Sequence, residues 1–207
     1  VYAGNGRSEQ GEPRVNEMPT TQNSIPEKEF RQRIRSVQAE LAEDQRDAVL
    51  VFSTESEPAG VRYFSDYWPS FETAGVLIPR TGEPALLIGP ESLTYARARS
   101  KIPDIIQVKD FRESSQPDYP GSKLPSWDDI THQFGIRRLG IAGWHLFPHT
   151  IMRNLELVLG DGNICDSDEL IRRMTRKKSP AEQECLRQAA QITEKAFRAV
   201  LESIRPG

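Results

Sequence analysis

The sequence has few of the side chains that carry redox, metal or nucleophilic chemistry: two cysteines and three histidines in 207 residues. Cys165 and Cys185 stand far apart and form no C-x-x-C pair. They are too few for a disulfide framework, and reduced thiols in a cytoplasmic protein are expected. Cys165 has no histidine close in sequence and is expected to be a buried structural thiol. Long apolar runs are also missing. None approaches the ~20 residues that a membrane helix needs, so no membrane partner is expected. Basic residues are not in excess: 27 Lys and Arg stand against 30 Asp and Glu, for a formal net charge of −3. That balance gives no general attraction to nucleic acid or anionic lipid. No G-x-S-x-G elbow, Walker loop or dinucleotide fingerprint follows a strand.

The histidines are His132, His145 and His149. His145 and His149 have the i, i+4 spacing of a helical metal pair, but Pro148 between them disfavours a continuous helix. No Glu follows His145 as it would in a zincin motif, and loop or helix-start positions are expected for both. Carboxylates are numerous, yet spacing alone identifies no catalytic pair. Glu43 and Asp44 suit a solvated helix end, and Asp128 and Asp129 suit a helix first turn.

Residues 1–26 are rich in Gly, Ser, Glu, Asn and Pro and have almost no apolar periodicity, so they read as a flexible leader. They show no charged-then-apolar signal pattern. The turn Gly4-Asn5-Gly6 follows no strand and receives no phosphate-binding role. Residues 27–44 repeat Phe30, Ile34, Val37 and Leu41 on one helical face. Val-rich 47–52 suits a buried strand, and 73–79 and 84–88 are two more, joined across Arg80-Thr81-Gly82-Glu83 as a hairpin. Further along, the pattern predicts a helix at 92–101 and a strand at 104–108. A proline-broken loop at 112–125 and a Ser-capped helix at 126–134 follow. Next come a strand at 138–142, a helix at 149–159, a short strand at 163–165 and a connector helix at 166–173. This order argues for an α/β sandwich with a mixed sheet of five or six strands flanked by helices.

Ser179-Pro180-Ala181-Glu182 starts a long helix: a Ser cap, Pro at the first helical position, and a Glu able to reach back to the cap amide. Cys185, Ala189, Ile192, Ala196, Val200 and Ile204 then recur as one broad apolar stripe, and Arg205-Pro206-Gly207 ends it. A stripe that wide is expected to pack on the first domain or on another copy. The organisation expected is a leader at 1–26, a domain at 27–166, and at 167–207 a connector with the first helix of a further domain.

One segment is unusual. In VRYFSDYWPSFE, residues 61–72, five aromatics crowd together out of 3 Trp, 5 Tyr and 8 Phe in the whole chain. Read as a strand end and a loop, it puts Tyr63 and Phe64 in the core. Trp68-Pro69-Ser70 is turn-like, so Trp68, Phe71 and the neighbouring Glu72 are expected on a surface that meets a partner or ligand.

In sum the chain resembles the amino-terminal domain of the creatinase, prolidase and aminopeptidase P family. The residues that carry the resemblance are the leading helix EFRQRIRSVQAELAEDQRDAVLV, the segment VRYFSDY, the strands GVLIP and PALLI, and RRLGIAG. The junction ELIRRMTRKKSPAEQECLRQAAQITEKAFRAVLESIRPG is the most specific of them. The resemblance covers residues 27–207. It implies a parent metallohydrolase with a pita-bread catalytic domain, acting on Xaa-Pro peptides through two divalent ions such as manganese. The family's five ligands, two Asp, one His and two Glu, lie beyond the position matching Gly207, so no metal or catalytic residue carries over to this chain. The resemblance also implies a homodimer in which this domain packs beside its own catalytic domain. Trp68, Phe71 and Glu72 would then face the partner's active-site mouth and its peptide substrate. Two other functions stay open at this point: protein binding by a catalytically dead relative, as in a histone chaperone subunit of similar fold, and a parent acting on a non-peptide such as creatine.

Overall fold

The computed structural model describes residues 24–113 and 123–205. Residues 1–23 of the leader expected at 1–26, most of the loop expected at 112–125, and Pro206-Gly207 lie outside the described residues.

Helix α1 (Glu27–Glu43) buries Phe30, Arg33, Ile34, Val37 and Leu41, the stripe its periodicity predicts. Strands β1 (Ala48–Ser53), β2 (Ala74–Pro79) and β3 (Ala85–Ile88) are buried at every position. Strands β4 (Ile105–Gln107), β5 (Leu139–Ala142) and β6 (Ile164–Asp166) complete a six-stranded mixed sheet in the order β4-β3-β2-β1-β5-β6. β1 pairs antiparallel with β2 and parallel with β5. β2 pairs antiparallel with β3, and the two outer pairs, β3·β4 and β5·β6, are parallel.

Two-residue alternation divides the core between the two sheet faces. Val49, Val51, Val76, Ile78, Leu86 and Ile88 face one side, where Val37 and Leu41 of α1 cover them. The same face is covered by α2 (Ala59–Ser65), α3 (Leu93–Arg99) and α6 (Asp168–Arg176), through Val61, Phe64, Ala96, Leu170 and Ile171. Leu50, Phe52, Leu77 and Leu87 face the other side, beneath α4 (Trp127–Gln133) and α5 (His149–Leu159). There Phe52 meets Phe111 and Phe147 edge-on at centroid distances of 5.5 and 5.0 Å. The fold is therefore the predicted α/β sandwich with a helical layer on each face of a mixed sheet.

The expected caps form. Ser126 and Asp129 make a capping box at the head of α4. Ser179 and Glu182 make another at the head of α7 (Pro180–Ser203), with Ser179 Oγ accepting from the Glu182 amide at 3.1 Å and Glu182 Oε2 accepting from the Ser179 amide at 2.8 Å.

Three expectations need correction. The segment read as a strand end is helix α2. Its seven residues bury Val61, Phe64 and Ser65, a helical i, i+3, i+4 set that dense aromatics and the lack of a capping side chain had disguised. Helix α6, expected as part of the connector, places Leu170 and Ile171 in the core. Cys165 is exposed, not buried, because it lies on the three-residue edge strand β6, which no helix layer covers at that point. Finally, α7 buries no residue, and Phe197 and Leu201 are 64% and 53% exposed. The sheet face nearest its root is already covered by α1, α2 and α6, so the stripe does not pack on the first domain, and packing on another copy is what is left of the expectation.

Candidate partner-facing surface

The aromatic segment alternates between core and surface. Helix α2 ends at Asp66, which adopts a left-handed conformation (φ 58°) and donates its amide to Arg62 O at 2.9 Å. Ser65 Oγ donates to Val61 O at 2.7 Å and accepts from the Tyr67 amide at 3.1 Å, while Ser65 O accepts from the Lys101 amide at 2.8 Å. These bonds hold a sharp exit. Tyr67 turns inward and is fully buried. Trp68 and Phe71 turn outward, at 40% and 53% exposure, on either side of buried Pro69 and exposed Ser70. The Arg62 guanidinium lies over the Trp68 ring, 5.0 Å from its centroid. Tyr95 of α3, also 40% exposed, contacts Tyr67 at a ring-centroid distance of 5.4 Å. Burial raises the Tyr67 phenol pKa, and a hydrogen bond with the Ser92 side chain opposes that rise.

Glu72 departs from expectation. It is 2% exposed and takes no part in the surface beside Phe71. Its Oε2 accepts from the Glu91 amide at 3.0 Å and from Ser92 Oγ at 2.7 Å, whereas Oε1 is buried without a partner. Burial pushes its carboxyl above the usual carboxylate range, and the Ser92 and Glu91 hydrogen bonds only partly offset this. The reason for its burial is the close approach of Gly89, where a side chain of any size would strike the Glu72 carboxyl. Of the three residues expected on this surface, the structure leaves Trp68 and Phe71 there. Tyr63 and Phe64 are placed as expected: Phe64 is fully buried, and Tyr63 packs partly buried against the core.

A second cleft of about 420 Å³ opens at the carboxyl ends of the parallel strands β1 and β5, lined in part by Ser53, Glu57, Gly143, His145, Asp168 and Arg172. Asp168 Oδ1 accepts the Gly143 and Trp144 amides at 2.6 and 3.1 Å. Gly143 has φ 87° and lies so close to Phe52 O that no side chain fits, which ties the turn after β5 to glycine. His145 stands between Glu57 (3.4 Å) and Asp168 (3.7 Å). His149 begins α5, and His132 lies on α4, so the three histidines do not converge. Among the described residues no group of three or more His, Cys, Asp or Glu side chains suits a metal ion, so these residues do not fit the two-metal ligand set of the resembling family. No helix among them is long and apolar enough to cross a membrane.

Sequence reasoning missed the most connected charge in the domain. Arg33 of α1 is buried. It donates to Tyr63 O at 2.7 Å, pairs with Glu29 at 2.5 Å and with Glu182 at 3.5 Å, and lies 3.9 Å from the Tyr63 ring centroid. The Tyr63 hydroxyl donates to Met174 O at 3.4 Å. Burial raises the Tyr63 pKa, and the Arg33 charge counteracts it. The signal available in the sequence was a lone Arg at a stripe position of α1.

The chain matches the Creatinase/Prolidase N-terminal domain model over residues 33–175. No curated protein matches it. Among solved structures it is similar to an X-Pro aminopeptidase from Thermotoga maritima MSB8 (TM-score 0.64, 21% identity, 84% of this chain and 44% of that one). It is also similar to the prolidase from Pyrococcus horikoshii OT3 (TM-score 0.61, 21% identity, 85% of this chain and 44% of that one). A proline dipeptidase from Streptococcus pneumoniae TIGR4 matches over 70% of this chain and 98% of its own, with TM-score 0.52 and 16% identity. At these identities the likeness is one of fold. The chain spans less than half the length of the first two enzymes. With a family model covering well over half of its residues, including all six strands and most of the helical layers that sandwich them, the chain belongs to the creatinase/prolidase amino-terminal domain family.

Proposed function

We propose that this chain is the non-catalytic amino-terminal domain of an Xaa-Pro peptidase of the aminopeptidase P or prolidase type. In that protein, a cytoplasmic homodimer, it contributes to assembly and to substrate access. The observation that carries this reading is the Trp68–Phe71 surface. Two large aromatics face outward from a loop whose neighbours on both sides, Tyr67 and Glu72, are anchored in the interior. A rigidly held aromatic pair costs little ordering entropy when a partner covers it, which is how Trp-centred contacts come to dominate interfaces. The partner surface is the active-site mouth of the second subunit, and the peptide passes between the two. Hydrolysis rests on two divalent ions held by a catalytic domain of the same parent protein, and the residues described here contribute no ligand to them.

The test is Trp68→Ala in the full-length enzyme, read by melting temperature, Michaelis constant and sedimentation velocity. A raised KM or a weakened dimer is expected, with the melting temperature lowered by no more than a few degrees. A large fall in melting temperature with kinetics and assembly unchanged would reduce Trp68 to a core residue.

A further inference from the structure

Glu72 is a buried carboxyl that joins two stretches of chain. It follows directly on the aromatic loop, and its Oε2 takes the Glu91 amide and the Ser92 hydroxyl in the turn that opens α3. That helix carries Tyr95, whose ring meets that of Tyr67 at 5.4 Å. One carboxyl therefore links the loop bearing Trp68 and Phe71 to the helix bearing Tyr95. The link is lopsided. Oε2 has two donors, while Oε1 is sealed from solvent with none, and no ion pair reaches Glu72 among the described residues. A buried carboxylate with one bare oxygen and no cation is costly, and the neutral acid, which buries no charge, costs less.

We propose that Glu72 is a positioning residue of the aromatic surface. As a neutral acid it clamps residues 66–72 to the turn at 89–92, and on ionisation it admits water beside Gly89 and loosens that clamp. The proposal deepens the partner-facing reading of Trp68 and Phe71, and in that functional sense it rests on it. The titratable groups around the carboxyl are Glu91, whose negative charge further disfavours ionisation, and Tyr67, with Tyr95 behind it. Burial acts in the same direction, and the donors from Ser92 and Glu91 act against it. Because the folded state holds this proton more tightly than the unfolded chain does, the clamp is complete at and below the ordinary carboxylate range. It weakens as pH rises through the higher folded value.

The experiment is amide hydrogen exchange of this chain between pH 4 and pH 8, corrected for intrinsic rates, on wild type, Glu72→Gln and Ser92→Ala. The Glu91 amide is the direct reporter, because it donates to the carboxyl itself. Its protection in wild type is expected to fall about tenfold across that range, as loss of the accepting clamp on ionisation would produce. In Glu72→Gln, whose amide is neutral throughout, protection stays flat and high. Ser92→Ala keeps the pH response but starts from lower protection. A wild-type profile as flat as that of Glu72→Gln would overturn the proposal, as would an identical fall in both. These outcomes do not depend on the enzyme. If Trp68→Ala proved silent in the full-length protein, the exchange result would still decide whether Glu72 is a proton-dependent clamp.

Discussion

Arg33 and Glu182 meet at 3.5 Å, joining the first helix of the domain to the first turn of the last one. The contact does double duty, because Glu182 also closes the capping box with Ser179. The direction in which α7 leaves the domain is thus tied to a guanidinium that already holds Glu29 and Tyr63 O. Arg33→Met is expected to destabilise the domain by about 3 kcal/mol, the low end for breaking a largely buried charge pair, because Glu29 and the Tyr63 carbonyl lose their donor. Glu182→Gln keeps the cap and should cost about 1 kcal/mol or less, the range of partly exposed pairs. Urea titrations of the two variants check both values. Equal losses would mean that Glu182, not Glu29, is the principal partner.

Phe64 is fully buried on α2 and meets Tyr63 edge-on at 5.0 Å. Phe64→Ala should cost roughly 3–5 kcal/mol, as truncation of a well-packed aromatic does. A loss below about 1 kcal/mol in urea or thermal unfolding would show that α2 packs loosely on the sheet.

Phe71 is more exposed than Trp68 and, among the described residues, makes no ring contact like the one between Trp68 and Arg62. Phe71→Ala should alter stability by no more than about 0.5 kcal/mol. Trp68→Ala adds the loss of an exposed cation–π contact, about 0.5–1 kcal/mol. Calorimetry on the isolated chain separates the two, and a larger loss for Phe71 than for Trp68 would contradict the geometry.

Ala189 lies in the exposed part of α7. Ala189→Pro is expected to break that helix at a local cost of about 3 kcal/mol or more. The melting temperature of the sheet domain should not move, since α7 buries nothing in it. Circular dichroism gives the helix content and near-ultraviolet melting gives the domain. A joint collapse would show that α7 supports the fold.

The isolated chain is expected to hydrolyse no Xaa-Pro dipeptide or tripeptide, with or without added manganese, since the described residues present no suitable ligand cluster. Chelator-sensitive turnover by the purified chain would overturn this expectation.

The legible parts of the fold were those in which local signal and final structure agree. The α1 stripe, the two hairpin strands and the Ser-Pro-x-Glu start of α7 are written in consecutive residues, and their periodicity or capping chemistry survives in the structure. Helix α2 was not legible. Seven residues hold too few turns for a 3.6-residue period to stand out, and the aromatics in them suit a strand equally well. Glu72 was misplaced for a different reason. Its partners Glu91 and Ser92 are about twenty residues away, so nothing next to it in sequence announces a buried carboxyl. The Arg33–Glu182 pair is more distant still. Trp68 and Phe71 were found on the surface because the turn chemistry around Pro69 is local.

Among the described residues helix α7 is anchored at its first turn only, and this makes it a lever. Its 24 residues, at about 1.5 Å rise each, reach about 36 Å from the capping box. A tilt of about 10° at the Arg33–Glu182 contact would sweep its far end through roughly 6 Å, more than one helical pitch. Substitutions that only loosen the root would thus move whatever the apolar stripe grips by the width of a side-chain row, with the sheet domain unchanged.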